Sequence, residues 1–462
     1  GEMKFKTTAV LAAILVGLGL YVWFYEVRRP AERERQREAE QKVFLFSKEE
    51  VGKLTLIYPE KKIVCGKKPE GDWRLISPIE AEGDKDAIDR IISNLEEAKA
   101  EQVVADSAAN LSEFGLLYPN VKICLDLKDS TTDTLMLGDK SPTGDFVFAQ
   151  RGSHPQVFTL PSWLLSSLEK TVYNLRDKRV LAFDQVKVKK LVLAQKHQAI
   201  VCTQIGSQWQ MEKPLKTKAD KDEIEKLLSR LKNARAKEFV EEKPESLKKY
   251  KLHKPQLEVT LWVGEDKARK LLRIGGKKGE NYYAWDESRS PVFLVGADLV
   301  KELQKTSFDL RDKTVAEFEV DDINKLELIY PDTTIVCIKD SSGSWQLSQP
   351  VEMKAKDWKI SGILWDIKGL KAQQFVTEKA RSLSKCGLDR PQIIVKLWKD
   401  EAGVVTELLV GMKKDDLVYV KTRQRPIVFL VKDNIVKDLS VKWEDITEET
   451  AESGEEGERK IE

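Results

Sequence analysis

Residues 73–95 read WRLISPIEAEGDKDAIDRIISNL, and this pattern recurs twice further along the chain. Adding 136 to the number of Trp73 gives Trp209, and adding 136 again gives Trp345. The proline five residues after each tryptophan and the apolar positions of the following segment repeat at the same offset. Repetition at a fixed period indicates a repeated structural unit, and this period is far longer than a solenoid repeat. The sequence therefore predicts three tandem domains.

Each copy combines strand-like and helix-like patterns. Short apolar or alternating runs separated by charged turns predict β-strands. One segment of each copy instead has apolar residues at i, i+3, i+4 and i+7, which predicts a helix that buries one face. An antiparallel sheet with one packed helix and a terminal helix is an α+β domain. The predicted domains span residues 43–179, 180–314 and 315–443.

Two sets of equivalent residues are predicted to form the repeat cores. A tryptophan that recurs in a strand beside an amphipathic helix is far more typical of a core than of a binding surface. Three of the five cysteines also occupy equivalent positions, each after an Ile-Val pair. Because equivalent positions of separate domains lie far apart, these cysteines are poor disulfide partners and should pack as small hydrophobic residues. The predicted core residues are Trp73, Trp209, Trp345, Cys65, Cys202 and Cys337.

The beginning of the chain predicts a membrane anchor. A basic head, residues 1–6, precedes an apolar run at residues 7–25. A helix over this run measures about 28 Å, close to the roughly 30 Å of bilayer hydrocarbon. The arginines after the run favour a cytoplasmic location for the large C-terminal region. A basic head before an apolar core is, however, the ordinary form of an export signal. We therefore expect a single-pass protein of the cytoplasmic membrane with an extracytoplasmic C-terminal region.

Two further segments flank the predicted domains. Residues 26–42 are rich in alternating Arg and Glu and predict a charged juxtamembrane helix. Residues 444–462 are acidic and lack core-forming residues, which predicts a disordered tail.

The third copy ends in a different sequence from the first two. The first two copies end in Leu-Arg-Asp-Lys, and only these two have a successor, whereas the third lacks the Arg-Asp pair. We therefore expect these charged pairs to fix the domain junctions by charge-assisted hydrogen bonds, giving an elongated, semi-rigid array. Ordinary surface charges at the end of a helix are the alternative. The predicted junction residues are Arg176, Asp177, Arg311 and Asp312.

Composition and motifs argue against catalysis and nucleic-acid binding. The net charge is +2 and 33% of residues are charged, with the two signs interspersed, as on a solvated surface rather than a polyanion-binding one. The chain has three histidines and none of the short signatures of hydrolases, P-loop proteins, zinc proteases or dinucleotide-binding enzymes. We predict no enzyme activity, no cofactor and no metal.

The apolar N-terminal run, the repeated Trp…Pro…Gly-Leu-x-x-Pro pattern and the Val-Phe strands together resemble a bacterial domain-of-unknown-function family, over roughly residues 43–443. Members of that family are membrane-anchored repeat proteins, often encoded beside gliding-motility-type ABC transporter subunits. The resemblance implies an extracytoplasmic accessory or scaffold subunit, with an ABC permease or another envelope membrane protein as its partner. A glycan- or lipid-binding module is the alternative, and the oligomeric state stays open.

Overall fold

The structure, a computed structural model, describes residues 2–23, 41–107, 110–152, 154–379, 382–399 and 403–448. Its main feature is three nine-stranded antiparallel sheets, one in each repeat. The predicted threefold repetition is therefore confirmed.

The three sheets are built from 27 strands in the described residues. The first sheet contains β1 Val51–Ile57, β2 Lys62–Lys67, β3 Trp73–Ser77, β4 Ala81–Glu82, β5 Gln102–Ala105, β6 Val121–Leu127, β7 Thr132–Lys140, β8 Phe146–Arg151 and β9 Val157–Pro161. The second contains β10 Val188–Gln195, β11 Gln198–Ile205, β12 Gln208–Lys213, β13 Thr217–Lys218, β14 Glu238–Glu241, β15 Leu257–Val263, β16 Ala268–Lys278, β17 Asn281–Asp286 and β18 Val292–Gly296. The third contains β19 Lys325–Ile329, β20 Thr334–Lys339, β21 Trp345–Gln349, β22 Met353–Lys354, β23 Gln374–Thr377, β24 Ile393–Trp398, β25 Val404–Lys414, β26 Leu417–Thr422 and β27 Val428–Lys432.

The helices are few and mostly short. The α-helices are α1 Glu2–Val22, α2 Lys85–Glu96, α3 Ser162–Leu168, α4 Val172–Leu175, α5 Lys221–Asn233, α6 Ala297–Leu303, α7 Ser307–Leu310, α8 Asp357–Lys368, α9 Asn434–Leu439 and α10 Trp443–Ile446. Single 3₁₀ turns lie at Lys48–Glu50, Leu111–Phe114, Gln185–Lys187, Lys248–Tyr250, Val320–Asp322 and Ser384–Cys386.

All three sheets share one topology. The order in the first is β4-β3-β2-β1-β6-β7-β8-β9-β5, and the other two repeat it strand for strand. The central strand β1 pairs with β2 and β6, so that Leu54 lies opposite Cys65 on one side and Leu125 on the other. All three side chains are buried. The apolar stripe of α2 forms one buried cluster with these side chains, and α8 does the same in the third repeat.

The domains are mostly β rather than α+β, and that part of the predicted fold class is wrong. The segment SWLLSSLEKTVYNL, predicted as one terminal helix, divides into α3 and α4 because Thr171 caps a new helix by accepting a bond from the N–H of Asn174. The strand β5, Gln102–Ala105, comes last in the sheet order and was not predicted. Its residues are largely exposed, and its sequence does not alternate between apolar and polar residues. Helices therefore occupy less of each repeat than the pattern indicated.

The predicted transmembrane helix at residues 7–25 is also wrong. Among the described residues, no helix is both long enough and apolar enough to cross a bilayer. The described part of this segment forms α1, Glu2–Val22.

The flanking predictions fall mainly outside the described residues. Of the predicted juxtamembrane helix, residues 26–40 are not described. Of the predicted tail, residues 449–462 are not described, whereas residues 444–448 continue the third repeat and bury the side chain of Thr447.

The chain divides into two compact units. The first comprises Gly1–Val180, Ala234–Glu242 and Phe293–Val295. The second comprises Leu181–Asn233, Lys243–Val292 and Gly296–Glu462.

Candidate functional site

The predicted core tryptophans are buried in all three repeats. Trp73, Trp209 and Trp345 expose at most 3% of their surface. The indole Nε1 of Trp73 donates a hydrogen bond to Asp89 Oδ1 at 2.8 Å, which satisfies its one polar atom. Burial alone would raise the pKa of Asp89, but the bonds from Trp73 and Lys85 hold that pKa below its ordinary value. These tryptophans are therefore packing residues and do not line a binding surface.

The three equivalent cysteines are buried beside them. Desolvation raises the pKa of each thiol to about 12. Because the thiolate is the reactive form of cysteine, Cys65, Cys202 and Cys337 are chemically inert at neutral pH. All five cysteines are free thiols.

The first predicted junction is centred on the buried guanidinium of Arg176, within the first unit. Arg176 is 4% exposed, and its two Nη atoms donate to the two carboxylate oxygens of Glu242 at 2.6 and 3.1 Å. Its guanidinium carbon lies 3.3 Å from the ring centroid of Phe239. Asp177 holds Arg179 through a two-pronged ion pair. A planar cation that is both stacked and paired on two oxygens is strongly oriented.

The second predicted junction has the same geometry within the second unit. Arg311 is 3% exposed and donates to both oxygens of Glu378 at 2.5 and 2.8 Å. Its guanidinium carbon lies 3.6 Å from the ring centroid of Phe375. Asp312 Oδ1 accepts from the backbone N–H of Thr314 at 3.0 Å. The structure thus places each predicted arginine against a phenylalanine in a strand of the following repeat and the glutamate just after that strand.

The third repeat ends differently. Isolated bridges join Gly83 to Arg176, Ala219 to Arg311 and Ala355 to Thr447. Thr447 therefore occupies the arginine position of the third repeat, seven residues beyond Ser440. Leu439, which ends α9, corresponds to Leu168 at the end of α3 and lies before the short helix that leads to this position.

A tryptophan stripe distinguishes the third repeat from the other two. Trp358 and Trp365 are 67% and 57% exposed on α8, with Gly362 between them on the same face. Positions i, i+4 and i+7 of a helix lie on one side, and the two indoles are about 10 Å apart along the axis. We call these three residues the tryptophan stripe.

The matching positions of the other repeats are polar. They are Asp86, Arg90 and Ser93 on α2, and Asp222, Lys226 and Ser229 on α5. The stripe is therefore a local substitution of solvated residues by apolar ones.

Basic side chains border the stripe. Lys359 Nζ lies 4.9 Å from the ring centroid of Trp358, and Lys368 Nζ lies 5.1 Å from that of Trp365. Gly362 has no atom within 4 Å of the place where a Cβ would stand. The stripe is thus a shallow notch between two indole rings, open to an incoming side chain.

An open groove of about 360 Å³ continues from Trp365. Its lining includes Asp366, Asn434 and Asp438, with Ile435 at its base. Desolvation raises the pKa of Asp366, and the negative charge of Asp438 adds to the rise. Together the stripe and the groove can bind an apolar side chain beside a hydrogen-bonding or cationic group.

In the part of the chain that the structure describes, no three His, Cys, Asp or Glu side chains gather as metal ligands would. The arrangement at the stripe is suited to recognition, because its exposed aromatic rings supply contact area and its polar border supplies orientation.

Sequence reasoning missed the stripe although its signal was present. The helix is predicted from its inward positions, Ile360, Ile363, Leu364 and Ile367, which match those of the other repeats. A comparison of the outward positions would have shown two tryptophans where the other copies have Asp and Ser. The third copy therefore differs from the other two at the outward positions of its helix.

Comparison with known families agrees with the repeated architecture. A family model described as "Domain of unknown function (DUF4340)" matches residues 73–203, 209–344 and 345–454. The matched segments begin at Trp73, Trp209 and Trp345, the residues that define the period. Comparison with curated proteins gives no match.

Among solved structures, the chain is similar to a DNA polymerase sliding clamp from Pseudomonas aeruginosa, crystallised with a ligand. The identity is 7%, the alignment covers 86% of this chain and 95% of the clamp, and the TM-score is 0.14. A likeness at this score supports no inference about fold or function.

Proposed function

The chain belongs to the DUF4340 family, whose model matches most of its length, and from that premise we propose that it is a non-catalytic docking subunit of an extracytoplasmic envelope complex. An ABC-type transporter, through its permease, is the proposed partner. The observation that carries the proposal is the tryptophan stripe of the third repeat.

The energetics of the stripe favour a protein partner. Isolated exposed apolar residues are common on protein surfaces, but two indoles on one helix face are a patch. Tryptophan is enriched among interface residues whose truncation costs about 2 kcal/mol or more. Gly362 in the middle of α8 also costs the helix about 1 kcal/mol relative to alanine. A notch that lowers helix stability and exposes two indoles is best explained by a partner that fills it.

The shape of the notch indicates how the partner binds. A helix laid across α8 can place one apolar side chain over Gly362, between Trp358 and Trp365. Helix-on-helix recognition uses anchors of this kind at i, i+3, i+4 and i+7. The basic border, with Lys359 and Lys368, then contacts acidic groups at the edge of the partner helix.

Photo-crosslinking in the native cell tests the docking. A photoreactive phenylalanine analogue is placed at position 365, and in a control chain at Ser229, the matching position of α5. We expect mass spectrometry to identify a transporter or other envelope membrane protein in adducts from position 365 and not from position 229. Equal adducts from the two positions, or adducts with no envelope protein, would contradict the proposal.

The proposed location has a separate test. Alkaline phosphatase fused after residue 448 is active only outside the cytoplasm, so we expect activity from this fusion. An inactive fusion that is present at normal levels would overturn the extracytoplasmic location and leave the docking test unaffected.

A glycan-binding module is the second candidate, and the groove beside Trp365 favours it. An exposed indole next to two carboxylates and an amide provides both a stacking face and hydrogen-bonding groups for a sugar. Calorimetric titration with chitotetraose and with soluble peptidoglycan fragments tests this function. Saturable binding that is lost in Trp365→Ser and Asp366→Asn would favour it over docking, whereas no heat of binding would exclude it for these ligands.

A further inference from the structure

We propose that the second repeat carries a basic face that binds the phosphate headgroups of an anionic lipid surface, independently of the tryptophan stripe. The face belongs wholly to the second compact unit and is formed by exposed lysines. We call it the lysine face and define it by Lys248, Lys249, Lys251, Lys254, Lys277 and Lys278.

A single turn and the end of a strand form the lysine face. The 3₁₀ turn Lys248–Tyr250 and the residues after it carry four of the lysines, and the end of β16 carries the other two. Gly275 of β16 lies directly against the carbonyl oxygen of Tyr250, in space that a Cβ would need. The rings of Tyr250 and Tyr283 lie 4.8 Å apart between centroids, which packs the turn against β17. The two segments therefore present their lysines at the same end of the second repeat.

The backbone is strained at one of these lysines. Lys251 has φ 58° and ψ 24°, in the left-handed region where a residue with a Cβ is disfavoured relative to glycine. The matching residues of the other repeats are Gly115 and Gly387, with φ of 66° and 67°. Strained backbone is concentrated at functional positions, where the side chain is needed. The lysine at this turn therefore points to a role for its side chain, since the turn itself forms with glycine in the other repeats.

A second position compensates for the side chain of Lys251. That side chain runs past Gly276, so that its Cδ would lie 3.3 Å from a Cβ at this position. The other repeats have Asp139 and Met412 there, and these residues lie against the turn glycines. The two positions have thus exchanged large and small residues. The exchange puts a cation on the turn and removes the carboxylate that the first repeat has beside it.

Other acidic residues of this end are also replaced in the second repeat. Glu113 and Asp139 of the first repeat correspond to Lys249 and Gly276, and Asp389, Asp415 and Asp433 of the third correspond to His253, Gly279 and Ala297. In the third repeat Asp433 pairs with Lys413, the counterpart of Lys277. Glu245 and Glu280 remain beside the six lysines. The second repeat therefore concentrates positive charge where the third repeat balances it.

The composition of the lysine face indicates the class of its ligand. Lysine is depleted in protein–protein interfaces, whose energetic centres are mainly aromatic residues and arginine. Clusters of about four to eight basic residues are instead typical of contacts with anionic lipids. An ammonium group on a flexible stem requires no fixed acceptor geometry, which suits headgroups that move laterally. The attraction extends about 8 Å at physiological salt, so a convex face suffices and no cavity is needed.

Sedimentation with vesicles tests the proposal on the full chain. One set of vesicles contains phosphatidylcholine alone, and the other contains phosphatidylcholine with phosphatidylglycerol. We expect about tenfold tighter binding to the anionic set, because each lysine near such a surface contributes about fivefold to the affinity. The preference should disappear at high salt, where the charges are screened.

Two double variants with the same loss of charge sharpen the test. Lys254→Ser with Lys277→Ser should weaken binding to the anionic vesicles at least about fivefold. Arg390→Ser with Lys413→Ser changes the matching positions of the third repeat and should weaken it less than about twofold. Because α1 is the same in every variant, the difference between the two reports the lysine face.

Lys251→Gly separates a binding role from a structural one. This variant restores the residue of the other repeats, so its melting temperature should be equal to or above that of the native chain. Its binding to anionic vesicles should nonetheless be about fivefold weaker. Trp358→Asp with Trp365→Ser should keep the preference for anionic vesicles, which separates the lysine face from the tryptophan stripe.

Three results would overturn the proposal. They are equal binding to the two sets of vesicles, equal losses in the two double variants, and unchanged binding in Lys251→Gly. Calorimetric titration with sodium triphosphate distinguishes lipid from soluble phosphate. Saturable binding that is lost in the Lys254→Ser, Lys277→Ser variant would identify a soluble phosphate compound as the ligand and overturn the lipid assignment, whereas no binding would support it.

Discussion

The helices α2 and α8 have the same inward face and different outward faces. Ile88, Ile91, Ile92 and Leu95 of α2 correspond to Ile360, Ile363, Leu364 and Ile367 of α8, and all eight are buried. On the outer side, Asp86, Arg90 and Ser93 correspond to Trp358, Gly362 and Trp365. The inward residues hold a sheet and a helix together in every repeat. The outward residues Trp358 and Trp365 of α8 are largely exposed, and their difference from the other repeats is the basis of the docking that we propose.

The largest expected loss of stability tests whether the inward faces of α8 and α2 contribute equally to their repeats. Leu364→Ala removes a fully buried side chain and should lower the free energy of unfolding by about 2 to 5 kcal/mol. Ile92→Ala, at the matching position of the first repeat, should cost a similar amount. Urea denaturation, monitored by hydrogen exchange of the backbone amides, measures the loss of unfolding free energy separately in each repeat. A change below about 1 kcal/mol in either variant would show that the two cores are not equivalent.

A smaller loss of stability is expected when a junction arginine is replaced. Arg311→Ala leaves Glu378 without its partner and should cost about 2 kcal/mol, less than a fully buried pair because Glu378 is half exposed. Arg311→Lys should not restore the loss, since lysine cannot stack and pair on two oxygens at once. Thermal unfolding measures both.

Arg423→Ala is the control for the junction variants, because the side chain of Arg423 is largely exposed where it pairs with Glu407. Its loss should change stability by less than about 1 kcal/mol. Similar losses from Arg311→Ala and Arg423→Ala would show that the junction geometry adds no stability.

Gly362 of α8 and Lys226 of α5 are matching residues in the middle of the outward faces. Replacing the glycine and introducing one should change stability in opposite directions. Gly362→Ala meets no neighbouring atom and should stabilise the third repeat by about 1 kcal/mol. Lys226→Gly on α5 should destabilise the second repeat by a similar amount. Denaturation midpoints measure both changes, and Gly362→Arg should additionally prevent docking at the stripe. A destabilising Gly362→Ala would mean that this glycine has a packing role in the fold.

The smallest effect concerns pH. Because the pKa of Asp366 is raised, the folded chain binds more protons than the unfolded chain between pH 3.8 and that raised value, and stability falls as pH rises through this window. Asp366→Asn should therefore raise the melting temperature at pH 7 by about 1 °C or less, since the group is near solvent. The difference should disappear below pH 3.8. A variant less stable than the native chain at pH 7 would contradict this account.

Sequence alone predicted the parts of the molecule that repeat. The period set by Trp73 and the buried stripe of α2 both follow from patterns with a fixed spacing. The exposed strand β5 left no such pattern, and its edge position became evident only from pairing with β9. The apolar run near the beginning of the chain predicted a membrane span that the described helix does not provide.

The candidate sites were harder to predict because they are exceptions to the repeat. Trp358 and Trp365 had to be recognised as apolar residues at solvated positions, which requires knowing where the helix faces.

Thr447 lies where the other two repeats have an arginine, and its short side chain cannot stack on an aromatic ring while pairing with two carboxylate oxygens, as Arg176 and Arg311 do. A contact that joins two different faces of like elements is heterologous and can repeat without closing. The third repeat therefore cannot extend the array through a contact of this kind at Thr447.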